Sequence, residues 1–277
     1  MPAVEELPAW SEPFNPEKRE GLTRLPALES IDRDWAWGGA DGSGVSVAII
    51  DSGVEGGHPA VGGRLKESWA IEISGDETSA VPDELGGDLF GHGTACAGII
   101  VGMAPKVDLV SIRVLGADLK GKGAAFAEAL EKAIHRPVQV ANLSLSSKSE
   151  ALFPIFHELA DEAYFNRVVL VSAANNVAGP SYPSLFSSVI SVAAHPEPDP
   201  WRFYYNPSPP VEFGAWGVDV PVAWRDGGQS VVTGNSFAAP HITALVALIL
   251  SKHPGLAPFE VKAILAAVSD NARRSAA

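Results

Sequence analysis

The chain of 277 residues carries 20 Lys and Arg against 33 Asp and Glu, a formal net charge of −13. Hydrophobic residues make up 46% and charged residues 19%, against about 25% charged in an average soluble protein, which excludes an intrinsically disordered chain. The acidic balance and the lack of a basic stripe exclude a phosphate-backbone binder, and the single cysteine excludes a disulfide framework or a cysteine-based zinc site.

Residues 1–30 hold five prolines and the charged patch Glu17–Glu20 with no sustained period. They read as an extended arm, leaving 31–277 as one domain. The arm has no basic segment followed by an apolar run, so no secretory leader is read and a cytoplasmic location is expected. From Val45 onward, apolar runs rich in Val and Ile alternate with helical patterns. The runs Val45–Ile50, Leu109–Val114, Val138–Leu143, Val168–Ala173 and Val189–Ala194 suit strands covered on both faces, as in a parallel sheet. Helices are expected over His92–Val101, Ala124–His135, Phe153–Phe165, Ser236–Lys252 and Pro258–Ser269. Such alternation predicts a doubly wound α/β fold, with ligands at the carboxyl ends of the strands. His195–Trp224, rich in Pro and Trp, reads as a long connection with short irregular strands. The longest apolar stretch, Phe237–Leu250, has 14 residues. A spanning helix needs about 20, so no membrane partner is expected.

Three local patterns carry chemistry. Asp51 ends the first strong strand and precedes Ser52-Gly53. His92 lies in Gly91-His92-Gly93-Thr94, at the start of a helix of small residues. Ser236 lies in Thr233-Gly234-Asn235-Ser236-Phe237-Ala238-Ala239-Pro240-His241, again at a helix start, where Pro240 suits a first turn. A serine there is exposed beside free amides that favour developing negative charge. Ser236 could attack a carbonyl, His92 take and return its proton, and Asp51 fix the imidazole tautomer. Each residue alone also has an ordinary role, as a turn residue, a solvated histidine or a helix cap; the combination points to acyl transfer.

The segments VAIIDSGVEGGHP, FGHGTACAGII and GNSFAAPHITALVALILSKHP resemble the subtilisin-like serine peptidases, with the order Asp, His, Ser of that family. The resemblance runs from about Ile31 to the C-terminal helix. It implies a three-layer α/β sandwich around a mainly parallel sheet, endopeptidase activity on a peptide or protein substrate, and no cofactor. Val171-Ser172-Ala173-Ala174-Asn175-Asn176 resembles the family segment that ends in the oxyanion-hole asparagine, a role that falls on Asn176, or on Asn175 if the alignment slips by one. Asn142-Leu143-Ser144-Leu145-Ser146-Ser147 resembles the strand that pairs with substrate and walls the first specificity pocket, with Ser181 towards its base. Ser144, Leu145, Ser146, Ser147 and Ser181 are therefore the candidate substrate-binding residues.

The chain also departs from the family pattern. Asn235 stands where Thr is usual, either as an extra donor near the oxyanion or as a turn residue. Trp216 replaces a common Pro, a matter of packing, and the hydroxyls of Ser146 and Ser147 replace glycines and narrow the pocket. Cys96, one helical turn after His92, reads as a small buried hydrophobe. A bulky thiol reagent there would displace His92. Ala60 after His58-Pro59 and the uninterrupted run after His92 remove the usual calcium ligands. No metal is expected at that position, leaving the acidic loop Asp76–Asp88 as the other candidate. The expected function is a serine endopeptidase for selective processing, such as leader-peptide removal. Residues 1–30 would serve as a latency segment over the cleft or as simple packing. The competing readings are a non-catalytic peptide-binding pseudopeptidase and an esterase or acyltransferase. The net charge favours the approach of neutral or basic substrates.

Overall fold

The computed structural model describes residues 11–14, 17–18, 25–75, 77–83, 87–208 and 210–272. Strand β1 (Ser46–Asp51) shows why the apolar runs become strands. Val47 and Ile49 enter one core while Ala48 and Ile50 enter the other. Side chains alternate between the faces of a strand, so a continuous apolar run needs cover on both.

The chain continues through β2 (Leu65–Ser74), β3 (Glu77–Pro82), β4 (Asp108–Arg113), β5 (Val140–Leu143), β6 (Val169–Ala173), β7 (Ile190–His195), β8 (Phe203–Tyr205) and β9 (Phe213–Trp216). These form a nine-stranded sheet in the order β3-β2-β4-β1-β5-β6-β7-β9-β8. Only the edge strands β3 and β8 run antiparallel to their neighbours. A separate antiparallel hairpin joins β10 (Val220–Trp224) to β11 (Gly228–Val232).

Helices α1 (Arg33–Trp37), α2 (His92–Met103), α5 (Asn235–Lys252) and α6 (Pro258–Val268) cover one face of the sheet. Helices α3 (Gly123–Ile134) and α4 (Phe153–Phe165) cover the other. The result is the expected three-layer α/β sandwich. Among the described residues, no helix is long and apolar enough to cross a membrane.

Most of the arm expected over residues 1–30 lies outside the described residues. Residues 28–30 form a short turn beside α6. Next to it, Arg33 of α1 pairs with Asp270 at 2.7 Å, and Trp35 stacks on His253 with ring centroids 4.1 Å apart.

Two features were not legible in the sequence pattern. The β2–β3 hairpin is mostly half-buried or exposed, so its charged residues interrupt the apolar signal. Pro240 lies in the second turn of α5, past the first turn where it was expected, since the helix begins at Asn235. β4 and β5 flank β1 on opposite sides, so the strand order reverses there, and a crevice opens at the carboxyl ends.

Candidate functional site

Three expected residues meet in that crevice. Asp51 is the last residue of β1 and fully buried, His92 is the first of α2, and Ser236 lies in the first turn of α5. The His92 Nδ1 lies 2.8 and 2.9 Å from the two Asp51 carboxylate oxygens, and its Nε2 lies 2.9 Å from Ser236 Oγ. With Nδ1–H donating to the carboxylate, Nε2 is left to accept the serine proton. A hydroxyl so placed can be activated for acyl transfer.

The approach of α2 to β1 depends on small residues. A Cβ at Gly93 would stand 2.0 Å from the Gly53 carbonyl oxygen and 3.1 Å from Asp51 Cβ, so any side chain there would force His92 away. Gly91 has φ +117° and borders the Trp224 ring, so a side chain there is both strained and blocked.

Burial disfavours the charged imidazole, but the adjacent Asp51 carboxylate outweighs it. The His92 pKa is therefore raised well above the ordinary 6.5. Below His92, the Cys96 thiol is fully buried, 3.3 Å from Ser144 Oγ, and burial raises its pKa above 9.0. Asp51, His92 and Cys96 are the one group of three potential metal ligands among the described residues. They do not suit calcium, which takes six to eight oxygens. A softer ion held on His92 Nδ1 would put the ring proton on Nε2, which then could not accept the Ser236 proton. In the acidic loop, Asp83 forms an ion pair with Arg113 at 2.9 Å. Residues 76 and 84–86 of that loop lie outside the described residues.

Asp88 organises the start of α2, a role the sequence reading missed. One of its oxygens accepts from Ser52 Oγ at 2.7 Å, Phe90 N–H at 3.0 Å and Gly91 N–H at 2.7 Å. The other accepts from Thr94 N–H at 2.8 Å and Thr94 Oγ at 2.7 Å. Gly91, the residue at the cap position, has no side chain to offer, so Asp88 satisfies first-turn amides in its place. An Asp shortly before a glycine-flanked helix start was the available signal.

A second set of bonds fixes the backbone of Ser236. Pro240 has no N–H, so the Ser236 carbonyl lacks the donor that a helix would supply four residues on. The Ser144 hydroxyl fills that vacancy at 2.8 Å. Asn142 Nδ2 donates to Ser144 Oγ at 2.9 Å, and Thr243 Oγ donates to Asn142 Oδ1 at 2.8 Å. The structure thus places Ser144 behind Ser236, with its hydroxyl engaged there.

Asn176 Oδ1 accepts the Asn235 N–H at 2.9 Å. That bond leaves the Asn176 amide nitrogen and the Ser236 N–H as donors with no partner among the described residues. The Asn175 side chain instead accepts the Val177 N–H at 2.9 Å, within its own loop. The Asn235 side chain points into the scaffold. Its Oδ1 accepts the Ala194 N–H at 2.9 Å, and its Nδ2 faces the carbonyls of Ala174 and Asn175 at 3.1 and 3.3 Å. Of the two roles open to Asn235 in the sequence, the side chain takes neither. It ties the ends of β6 and β7 to α5.

A cleft of about 550 Å³ runs from Ser236 and Asn176 along Leu145, Ser146 and Ser147 to Phe126. The main chain of Leu145 and Ser146 carries no hydrogen bond to the described residues, whereas Ser147 is bridged to Tyr182 at 2.9 and 2.8 Å. Ser181 does not line the cleft. It is buried against Ser184 Oγ at 2.6 Å, behind the Asn175 loop.

A family model described as the Subtilase family matches residues 42–276. The chain belongs to the subtilase family. This subtilase is 30% identical to Subtilisin BL of Lederbergia lenta over 254 residues, covering 87% of each chain. It is 28% identical to Thermitase of Thermoactinomyces vulgaris over 253 residues, covering 86% of each. A solved structure described as a cold adapted subtilisin-like serine proteinase superposes with a TM-score of 0.69 at 26% identity, covering 90% of this chain and 94% of that one. The subtilase is a serine endopeptidase, a hydrolase with peptide or protein substrates.

Proposed function

We propose that this subtilase cleaves its substrate through an acyl-enzyme formed on Ser236, within a peptidase domain spanning residues 31–277. His92 removes the hydroxyl proton as Ser236 Oγ attacks the scissile carbonyl, and Asp51 holds the imidazole and stabilises the imidazolium. His92 then returns the proton to the leaving amine. Water attacks the ester with the same base, releasing the second product. The Asn176 amide and the Ser236 N–H stabilise the tetrahedral oxyanion, a contribution of about 10²–10³ in rate per side-chain donor, a figure measured on subtilisin, a relative of this enzyme. Leu145 and Ser146 take the substrate as an added strand, and Ser147 narrows the pocket.

The observation that carries this reading is the unbroken run of hydrogen bonds from Asp51 through His92 to Ser236. The hydroxyls of Ser146 and Ser147 on the cleft wall support selective processing, such as removal of a leader peptide, over general digestion. The same reading puts the enzyme in the cytoplasm, which suits its single unbridged thiol. Cell fractionation with immunoblotting tests that location. A serine-reactive fluorophosphonate, intact mass and peptide mapping test the chemistry. One adduct on Ser236, absent from Ser236→Ala, is expected; an adduct elsewhere overturns the assignment.

A further inference from the structure

The cleft differs in charge from the molecule around it. The chain as a whole carries −13, yet Lys120 and Lys122 line the cleft and, among the described residues, no carboxylate does. Both lysines are exposed on the segment between β4 and α3 and line the same cleft as Leu145 to Ser147. Lys122 forms no ion pair with a described residue. Lys120 lies 3.4 Å from Asp118, in a pair so exposed that water and salt weaken it. Lys122 also precedes α3, whose first turn has no side-chain cap and no acidic residue, so the local dipole has the same sign as the two ammonium groups. Leu115, Leu119 and Phe126 give the same cleft an apolar lining beside the lysines.

We infer that Lys120 and Lys122 are specificity-determining residues that select substrates with acidic side chains within about four residues upstream of the scissile bond. This rests on the reading above, in which the strand at Leu145 takes the upstream part of the peptide. An extended peptide advances about 3.4 Å per residue. A Glu or Asp facing the Lys120–Lys122 segment then meets two cations, while its aliphatic stem meets the apolar lining. The global charge opposes approach, but it is screened over a Debye length of about 8 Å at physiological salt, so the charges inside the cleft decide the preference. The expectation that net charge favours neutral or basic substrates therefore reverses at the site itself. Exposed pairs are weak, so the preference per acidic residue is about 3- to 10-fold over the neutral isostere.

The test uses fluorogenic peptides with Glu, Gln or Lys at each of four upstream positions. At one or more positions kcat/KM follows Glu over Gln over Lys, and 0.5 M NaCl compresses the difference. Lys120→Glu/Lys122→Glu inverts the order. A control with the same change in net charge, Lys66→Glu/Lys106→Glu, keeps it, since these residues sit near the amino ends of β2 and β4. Equal cleavage of the three series, or an order that survives the cleft reversal, overturns the inference. Binding of fluorescein-labelled peptides to Ser236→Ala separates this from the chemistry. Charge-ordered binding without hydrolysis by the parent enzyme supports the inference and overturns the acyl-enzyme reading. Uniform binding overturns the inference even where hydrolysis proceeds.

Discussion

Replacing Asn235 by Ala removes a brace between the nucleophile's helix and the loop that carries Asn176. The side chain makes three hydrogen bonds, at 2.9, 3.1 and 3.3 Å, to the main chain of Ala194, Ala174 and Asn175. At about 1 kcal/mol net for each, the loss is about 3 kcal/mol, which in a domain of this size lowers the melting temperature by roughly 6–12 °C. The kinetic effect has a ceiling. The bond from Asn235 N–H to Asn176 Oδ1 uses the main chain of Asn235 and survives the substitution, but the loop it orients is no longer held at Ala174 and Asn175. The loss in kcat therefore falls between about tenfold and the 10²–10³ expected for losing the Asn176 donor outright, with KM changed less than about threefold. Steady-state kinetics of Asn235→Ala, Asn176→Ala and the double variant provide the assay. Because both changes act through one donor, the double variant is no slower than Asn176→Ala alone. A kcat for Asn235→Ala within twofold of the parent refutes the reasoning, as does a double variant slowed by the product of the two effects.

The raised His92 pKa fixes the direction of the pH profile. The base must be neutral to accept the proton, so kcat/KM rises with pH through a midpoint above 6.5. Asp51→Asn removes the carboxylate that most raises the ring against burial, moves the midpoint down and lowers kcat about 10⁴-fold through the wrong tautomer; an unmoved midpoint contradicts the attribution to Asp51. His241, buried beside Trp216 and bonded to the Phe237 carbonyl at 2.9 Å, is lowered by burial to about 4. Its imidazole resonance should titrate near that value by NMR, and a midpoint near 6.5 would falsify the burial argument. The unfolded state takes up this proton first, so this group's contribution to stability declines as pH falls from about 6.5 to about 4. Asp88→Ala frees the start of α2 and lowers kcat about tenfold together with the melting temperature. Asp88→Asn, which keeps one acceptor, lies between; equal kcat in all three proteins would show that His92 is placed without it.

Much of this fold was legible because burial on both sides of a sheet leaves a plain mark. The five Val- and Ile-rich runs are β1 and β4 to β7 within two residues at each end. Helix α4 begins and ends where its pattern does. Asp51, His92 and Ser236 could be named because each sits at an element boundary with a glycine within two residues, and glycine marks where backbones must approach closely. The β2–β3 hairpin left no such mark, since an edge hairpin tolerates charge on its exposed positions. Ser181 was expected at the base of a pocket, yet the turn at Tyr182 buries it against Ser184.

Residue types, their order and the alternation of strand and helix depend on local pattern and can be read along the chain. The partner that each polar atom takes is set in three dimensions. Ser144 supports Ser236 because Pro240, four residues along α5, leaves one carbonyl without a donor, and β5 happens to end beside it. Asn235 braces the Asn176 loop because β6 and β7 end on either side of it. Lys120 and Lys122 reach the cleft because the segment from β4 to α3 lines it together with the segment after β5. Hydrogen bonds and charge pairs act over a few ångströms, and the folding of distant segments, not their spacing along the chain, sets those distances.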